Sequence, residues 1–404
     1  MQCLKNPINE VNARSKQMNL VVIADDLTGA AEIAGVGLRY GLELAFGIND
    51  LPDRNAQLTV IATNSRSETE IQAIKTHRLL TEKILESKPD ALIFRKCDSV
   101  LRGHILAEFL TTMEIYAKNI ALLEPANPSI KRMIRNGNYF IGENLIENTG
   151  FADDPDFPAH FSTVFSLLSK RCSFHSSAFT IRSDFETDFS NKSIIIPDCS
   201  NVDDMKSLLS CFDHHRMLIG GSSAFFEQFL KYLYPDLLIQ RIRPFHLNNH
   251  FILVSGSTFP ESRKIIKVLE STGCIILFFP PEFLLSEMNE NKFQNWILSQ
   301  IERLNHESRI FIGIADQPIS FENSAIILKH RLTLAVQLIL ENFLPENLLI
   351  EGGATAFDIL KQMNWLSLIP ESELSQGVIS FRLAKANIRI VIKPGSYSWS
   401  DNLF

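Results

Sequence analysis

The chain has 404 residues, 45% of them apolar and 21% charged, so it suffices for two or three domains around large cores. Its net charge of −7 argues against a general nucleic-acid role, and an anionic ligand would need local cationic pockets. The six cysteines are scattered without zinc or redox spacing and read as thiols of a reducing, cytoplasmic compartment. No apolar run is long enough to span a bilayer.

In chain order, residues 1–18 lack the apolar core of a signal peptide and read as a flexible extension. Residues 19–24 (NLVVIA) predict a buried strand and Gly29–Tyr40 a helix. Leu42, Leu44, Phe46 and Ile48 then alternate as in a half-buried strand. QLTVIATN, ALIFRK and NIALLEP predict further strands. Between the last two, Ile105, Phe109 and Met113 line one helical face. The stretch from about residue 140 to 180 reads as an excursion from this sheet, and SIIIPD and RMLIGG resume it. A polar segment around Pro244 marks a boundary near residue 245. A second strand–helix cycle follows through FILVSGS, CIILFF, RIFIGIA, NLLIEGG and IRIVIKPGS. The alternation predicts an α/β protein of two doubly wound domains, residues 19–245 and 246–404, with a ligand cleft between them.

Ligands of open α/β sheets collect at the carboxyl ends of strands, so the turns there carry the functional reading. The first strand ends in Asp25-Asp26-Leu27-Thr28-Gly29. A helix N-cap accounts for one of these acids but not both. ALIFRK runs into Lys96-Cys97-Asp98-Ser99-Val100-Leu101-Arg102. Lysine and arginine beside an acid suit a carboxylate-bearing substrate, and an acid near a substrate hydroxyl can accept its proton. The plain alternative is an internal salt bridge with an Asp-Ser cap. Arg66, after QLTVIA, adds a cation. The second-half turns are Ser255-Gly256-Ser257, Gly352-Gly353-Ala354-Thr355 and Pro394-Gly395-Ser396. Small residues there let backbone N–H groups and a helix N-terminus approach phosphates. None matches a Walker A loop or the dinucleotide glycine fingerprint, which removes a nicotinamide-dependent oxidoreductase. The acidic loop with Glu143, Glu147, Asp153, Asp154 and Asp156 reads as solvated.

IADDLTGA, KCDSVLRG, EPANP with Arg132, VSGS, EGGATA and KPGSY, in this order, resemble the four-carbon acid sugar kinase family from about residue 19 to the end. The resemblance implies a sugar-acid-binding first domain, a nucleotide-binding second domain, and ATP- and Mg²⁺-dependent phosphorylation of the terminal hydroxyl of threonate, erythronate or an oxo-tetronate. By position it implies an acid site with Asp25, Asp26, Arg66, Lys96, Asp98 and Arg102, to which Ser99 belongs by its place in the turn. It implies a nucleotide site with Ser255, Gly256, Ser257, Gly352, Gly353, Ala354, Thr355 and Gly395. Asp25 or Asp98 would be the base. The chain departs from the family pattern at Glu32, Val100, Lys131, Phe259 and Ile265. A non-catalytic sensor of the same ligands is the alternative, and a homo-oligomer is compatible with either reading.

Overall fold

The computed structural model describes residues 19–173, 179–184, 192–240, 245–247, 250–257, 260–284, 289–302, 304, 309–314, 324–383, 387–395, 397–399 and 403–404. The extension 1–18, Pro244, Phe259 and Ser396 lie outside them.

The first half runs β1 (Leu20–Ala24), α1 (Leu27–Arg39), β2 (Leu44–Ile48), β3 (Leu58–Ala62), α2 (Glu70–Ser87), β4 (Leu92–Lys96), α3 (Ile105–Ile115) and β5 (Ile120–Glu124). A small antiparallel meander follows, β6 (Arg132–Arg135), β7 (Asn138–Ile141) and β8 (Asn144–Leu145). Then come α4 (Val164–Ser169), β9 (Phe179–Arg182), β10 (Lys192–Ile195), α5 (Val202–Leu209), β11 (Met217–Gly221) and α6 (Ser223–Leu233). The second half runs β12 (Phe251–Ser255), α7 (Pro260–Ser271), β13 (Ile275–Phe278), α8 (Glu290–Ile301), β14 (Arg309–Gly313), α9 (Ser324–Asn342), β15 (Asn347–Glu351), α10 (Gly353–Gln362), β16 (Ser367–Ser375), β17 (Val378–Leu383) and β18 (Arg389–Lys393).

The strands predicted from apolar runs are all present, and most are buried on both faces, as parallel strands between helix layers must be. With β9, β16 and β17 they form one 15-stranded sheet, ordered β13-β14-β12-β15-β18-β17-β16-β2-β3-β1-β4-β11-β5-β10-β9. The fold is mixed α/β, as expected. Each half has its own point where the strand order reverses. In the first, β1 pairs in parallel with β3 on one side and β4 on the other. In the second, β12 pairs in parallel with β14 and β15. The crevice outside such a point is where open sheets of this class take ligands.

The sequence reading omitted the hairpin β16–β17, and this hairpin joins the halves. β17 pairs antiparallel with β18, and β16 pairs antiparallel with β2 through Ser367↔Gly47 and Leu368↔Phe46. Phe46 and Phe381 are fully buried and meet edge-on across the seam, ring centroids 4.8 Å apart. Such a pair is worth ~0.5–1.5 kcal/mol beyond its buried area. One apolar core runs from Leu20 through this seam to Ile392. The boundary near residue 245 falls between α6 and β12 and remains our proposal. Cys97, Cys172, Cys199 and Cys274 are free thiols.

Candidate active site

The carboxyl ends of β1, β3 and β4 bring Asp25, Asp26, Arg66, Lys96, Asp98 and Arg102 together. Asp26 caps α1, accepting from the Gly29 N–H at 2.9 Å and the Thr28 hydroxyl at 2.5 Å. Asp25, fully buried, accepts two bonds from Arg66, Nε–Oδ2 at 2.8 Å and Nη2–Oδ1 at 2.9 Å. Arg66 Nη2 also lies 3.0 Å from Asp26, and its Nη1 lies 3.7 Å from Asp98. Asp98 closes a second fork: Arg102 Nε reaches Oδ2 at 3.1 Å and Nη2 reaches Oδ1 at 3.0 Å. The Val100 and Arg102 N–H groups donate to the same carboxylate at 3.1 and 3.2 Å. The acids thus cap and pair internally, as the plain alternative has it, and they also converge on one crevice.

The three carboxyls differ electrically. Burial, and next the neighbouring Asp26 charge, push Asp25 up to about 6 against the pull of Arg66. Burial also opposes ionisation of Asp26 and Asp98. For Asp26 the charges of Arg66 and Lys96 prevail, and its carboxyl falls below the ordinary range. For Asp98 burial is outweighed by Arg66 and Arg102, which hold it far below that range. Asp98 is thus a permanent anion and a weak base, while Asp25 can exchange a proton near neutrality. Burial would lower Lys96, but Glu32 and Asp26 more than compensate and keep it charged. Lys96 Nζ donates to the Cys97 carbonyl at 2.9 Å, and Glu32 stands 4.0 Å away.

A buried polar layer fixes the Arg66 turn from beneath. The Ser65 hydroxyl donates to Glu108 at 2.7 Å and lies 2.8 Å from His77 Nε2. Arg95 contacts His77 Nδ1 at 2.7 Å and Glu108 at 2.7 Å. Arginine only donates, so His77 Nδ1 accepts and the ring's hydrogen sits on Nε2. Burial, then the Arg95 charge, lower the His77 basicity, and the ring is neutral. Ser65, His77 and Glu108 share residue types with a hydrolytic triad, but all three are buried and form support for Arg66.

Ser99 receives a bond from Arg132, and its carbonyl receives one from Tyr139. Arg132 also packs over the Phe151 ring, 5.6 Å from its centroid. The excursion thus closes over the β4 turn. Its Asp154 is not a solvated loop acid, since Arg102 Nη1 reaches it at 3.4 Å. Proximity of 52 residues' separation gives no sequence signal for that contact.

The second-half turns gather at the other reversal point. Gly352 precedes α10 with φ +100°, a conformation natural only to glycine. Ala354 and Thr355 lie in the first turn of α10. A Cβ on Gly353 would stand 2.6 Å from Thr28 Cγ2, so this glycine brings α10 directly against the Asp25-Asp26 turn. A Cβ on Gly395 would meet nothing within 4 Å. The Ser257 N–H donates to Ser255 Oγ at 3.2 Å. Beneath them lies a wholly buried pair, Lys393 Nζ to Glu351 Oε1 at 2.9 Å, and Ser262 donates to the same carboxylate. A Cβ on Gly256 would stand 3.0 Å from Leu332 Cδ1 and 3.2 Å from Leu328 Cδ2 of α9.

A family model described as a sugar-binding N-terminal domain matches residues 20–229. The chain belongs to that family. The matched stretch contains Asp25, Asp26, Arg66, Lys96, Asp98 and Arg102. Among curated relatives, the D-threonate kinase of Salmonella typhimurium is 30% identical over 156 residues, 38% of this chain and 36% of that protein. The 3-oxo-tetronate kinase of Actinobacillus succinogenes is 29% identical over 158 residues, 37% of this chain and 38% of that protein. The D-erythronate kinase of Heliobacterium modesticaldum is 28% identical over 167 residues, 40% of this chain and 38% of that protein. The matches thus span well under half the length of these relatives. In fold, a Haemophilus influenzae protein from a family of unknown function superposes with TM-score 0.69 at 17% identity, over 95% of this chain and 98% of its own. A Salmonella typhimurium protein described as a putative tRNA synthase gives 0.74 at 15% identity, over 95% and 96%. Together they place the sugar-binding domain and the second half in one known α/β architecture. Among the described residues, no helix is long and apolar enough to cross a membrane.

Proposed function

We propose that the protein is an ATP-dependent kinase that phosphorylates the terminal hydroxyl of a four-carbon sugar acid. The observation that carries this reading is the meeting of two strand-order reversal points through Gly353 and Thr28. One is lined with acids and cations, the other with small residues at a helix N-terminus. The names of the curated relatives support the same class.

In this reading Asp25 orients the reacting hydroxyl and accepts its proton, because it is the carboxyl poised near neutrality. Asp98 stays ionised and fixes Arg102. Lys96 and the outer end of Arg66 meet the acid's carboxylate. Backbone N–H groups of the Gly352–Thr355 turn, with the Ser255–Ser257 turn and Gly395, cradle the phosphates. Among the described residues no three His, Cys, Asp or Glu side chains converge to hold a metal. Mg²⁺ would be carried on the phosphates, with Asp26 as a nearby carboxylate; bound there, it would neutralise charge on the transferring group.

The test is a screen for ATP- and Mg²⁺-dependent phosphorylation of D-threonate, D-erythronate and 3-oxo-tetronates, with product detected by mass. A phosphorylated four-carbon acid is expected. No product from folded protein across that panel would refute the reading.

A further inference from the structure

The two proposed ligand regions are joined by more than the Gly353–Thr28 contact. Tyr397, four residues after the end of β18, belongs to the second half, yet its hydroxyl donates to Glu32 Oε1 of α1 at 3.1 Å. Its main chain is pinned from behind. The Tyr397 N–H bonds the Pro394 carbonyl at 3.1 Å, and buried Lys393 Nζ donates to the carbonyls of Pro394 at 2.9 Å and Tyr397 at 2.5 Å. The same ammonium pairs with Glu351, the residue before Gly352. From the front, Glu32 Oε2 faces Lys96 Nζ at 4.0 Å. A line of polar contacts, carried through the Tyr397 side chain and ending in a 4.0 Å charge pair, therefore runs from the turn preceding α10 to Lys96.

The ring's placement is built for this reach. Gly377, in the β16–β17 turn at φ +74°, leaves room for it: a Cβ there would stand 2.8 Å from Tyr397 Cε2. Glu32 receives the Tyr397 hydroxyl from α1, across the seam between the halves. Its carboxylate must serve two partners at once, the tyrosine of one half and the lysine of the other.

We propose that Tyr397 is a positioning residue through which nucleotide in the second-half turns sets the Glu32–Lys96 pair, and so tightens binding of the sugar acid. The inference rests on the kinase reading. A ligand that packs against Gly352 and Gly395 orders the backbone that Lys393 grips, which fixes the Tyr397 hydroxyl and thereby the Glu32 carboxylate. Coupling of this kind is reciprocal, so the acid must tighten nucleotide by the same factor.

The experiment compares the parent chain with Tyr397→Phe, which keeps the ring and removes the hydroxyl. Affinities for D-threonate and D-erythronate are measured by calorimetry with and without a non-hydrolysable ATP analogue and Mg²⁺. In the parent the analogue is expected to tighten acid binding ~5–150-fold. In Tyr397→Phe that ratio should fall close to unity while nucleotide affinity without acid is retained. Gly377→Ala, which displaces the ring, should do the same. An unchanged ratio in folded Tyr397→Phe overturns the proposal. A ligand-free arm separates it from the kinase reading. Unfolding equilibria of Tyr397→Phe, Glu32→Gln and the double variant should be non-additive by ~2-fold or more. If the parent binds neither acid nor nucleotide, the kinase reading fails. Strict additivity means that the contact is not made in solution, and the inference fails whatever the ligands do.

Discussion

If Asp25 takes the proton, the pH profile of the reaction must show it. The carboxyl, with an ordinary value of 3.8, is pushed up to about 6, first by burial and then by the Asp26 charge. The active form is the anion, so activity rises as pH rises through about 6 and is lost as pH falls below it. In that lower range each pH unit removes roughly tenfold from kcat/KM. Were Asp98 the base, the Arg66 and Arg102 charges would keep it ionised throughout and the profile would be flat. The assay is initial velocity against acid concentration from pH 5 to 8, at saturating ATP and Mg²⁺. Arg66→Gln gives a signed control: it removes the charge that opposes protonation of Asp25, so the rising limb should move to higher pH. Asp25→Asn should lower turnover ~10²–10⁴-fold. The same shift acts on folding with opposite sense. The folded state holds the Asp25 proton more tightly than the unfolded chain, so this group's contribution is greatest below 3.8 and is lost by about 6. A flat kcat/KM between pH 5 and 7 in folded protein would refute the assignment of Asp25.

Asp98→Asn should act mainly on stability and acid binding. Breaking a buried ion pair costs ~3–5 kcal/mol, and the low end applies because Arg102 keeps 32% of its side chain exposed; chemical denaturation reads the loss, and an unchanged midpoint would contradict it. Gly353→Ala places a methyl 2.6 Å from Thr28 Cγ2, an overpacking of ~1–3 kcal/mol, so calorimetry should find both nucleotide and acid bound more weakly. Weakened nucleotide binding with acid binding untouched would mean that α10 does not press on the Asp25-Asp26 turn in solution.

Most of the sheet was legible in the sequence because parallel strands buried on both faces are short apolar runs. NLVVIA and NLLIEGG differ from everything around them. The β16–β17 hairpin was not, because its first strand carries Pro370 and shows neither an apolar run nor a clean alternation, Ser367-Leu368-Ile369-Pro370-Glu371-Ser372. That pattern demotes a strand by the usual rules. The site was legible to the same degree. Acids and cations immediately after strands could be read in place. Glu32, Tyr397, Thr28 and Asp154 could not be assigned roles, because each acts through a partner far along the chain. Glu32 and Tyr397 are separated by 365 positions, and no periodicity or local motif links residues at that distance.

The closed arginine forks change what the crevice can select. Read from sequence, Arg102 and Arg66 are natural clamps for a substrate carboxylate. In the structure each already holds a carboxylate through two bonds, Asp98 and Asp25 respectively. Opening the Arg102 fork would strand a buried Asp98 anion, a loss of ~2–5 kcal/mol, comparable with what a new bidentate contact could return. The forks therefore serve better closed, as struts that fix the direction of the Asp25 and Asp98 oxygens. Lys96 suits the remaining task. It is buried, keeps its charge, and presents a compact ammonium whose nearest acid, Glu32, stands beyond hydrogen-bond length. A lysine recognises a carboxylate by charge more than by angle. Under the proposed kinase function, discrimination among four-carbon acids would then fall to the carboxyls beside the substrate hydroxyls, where a misplaced or missing hydroxyl would leave a buried polar atom unpaired.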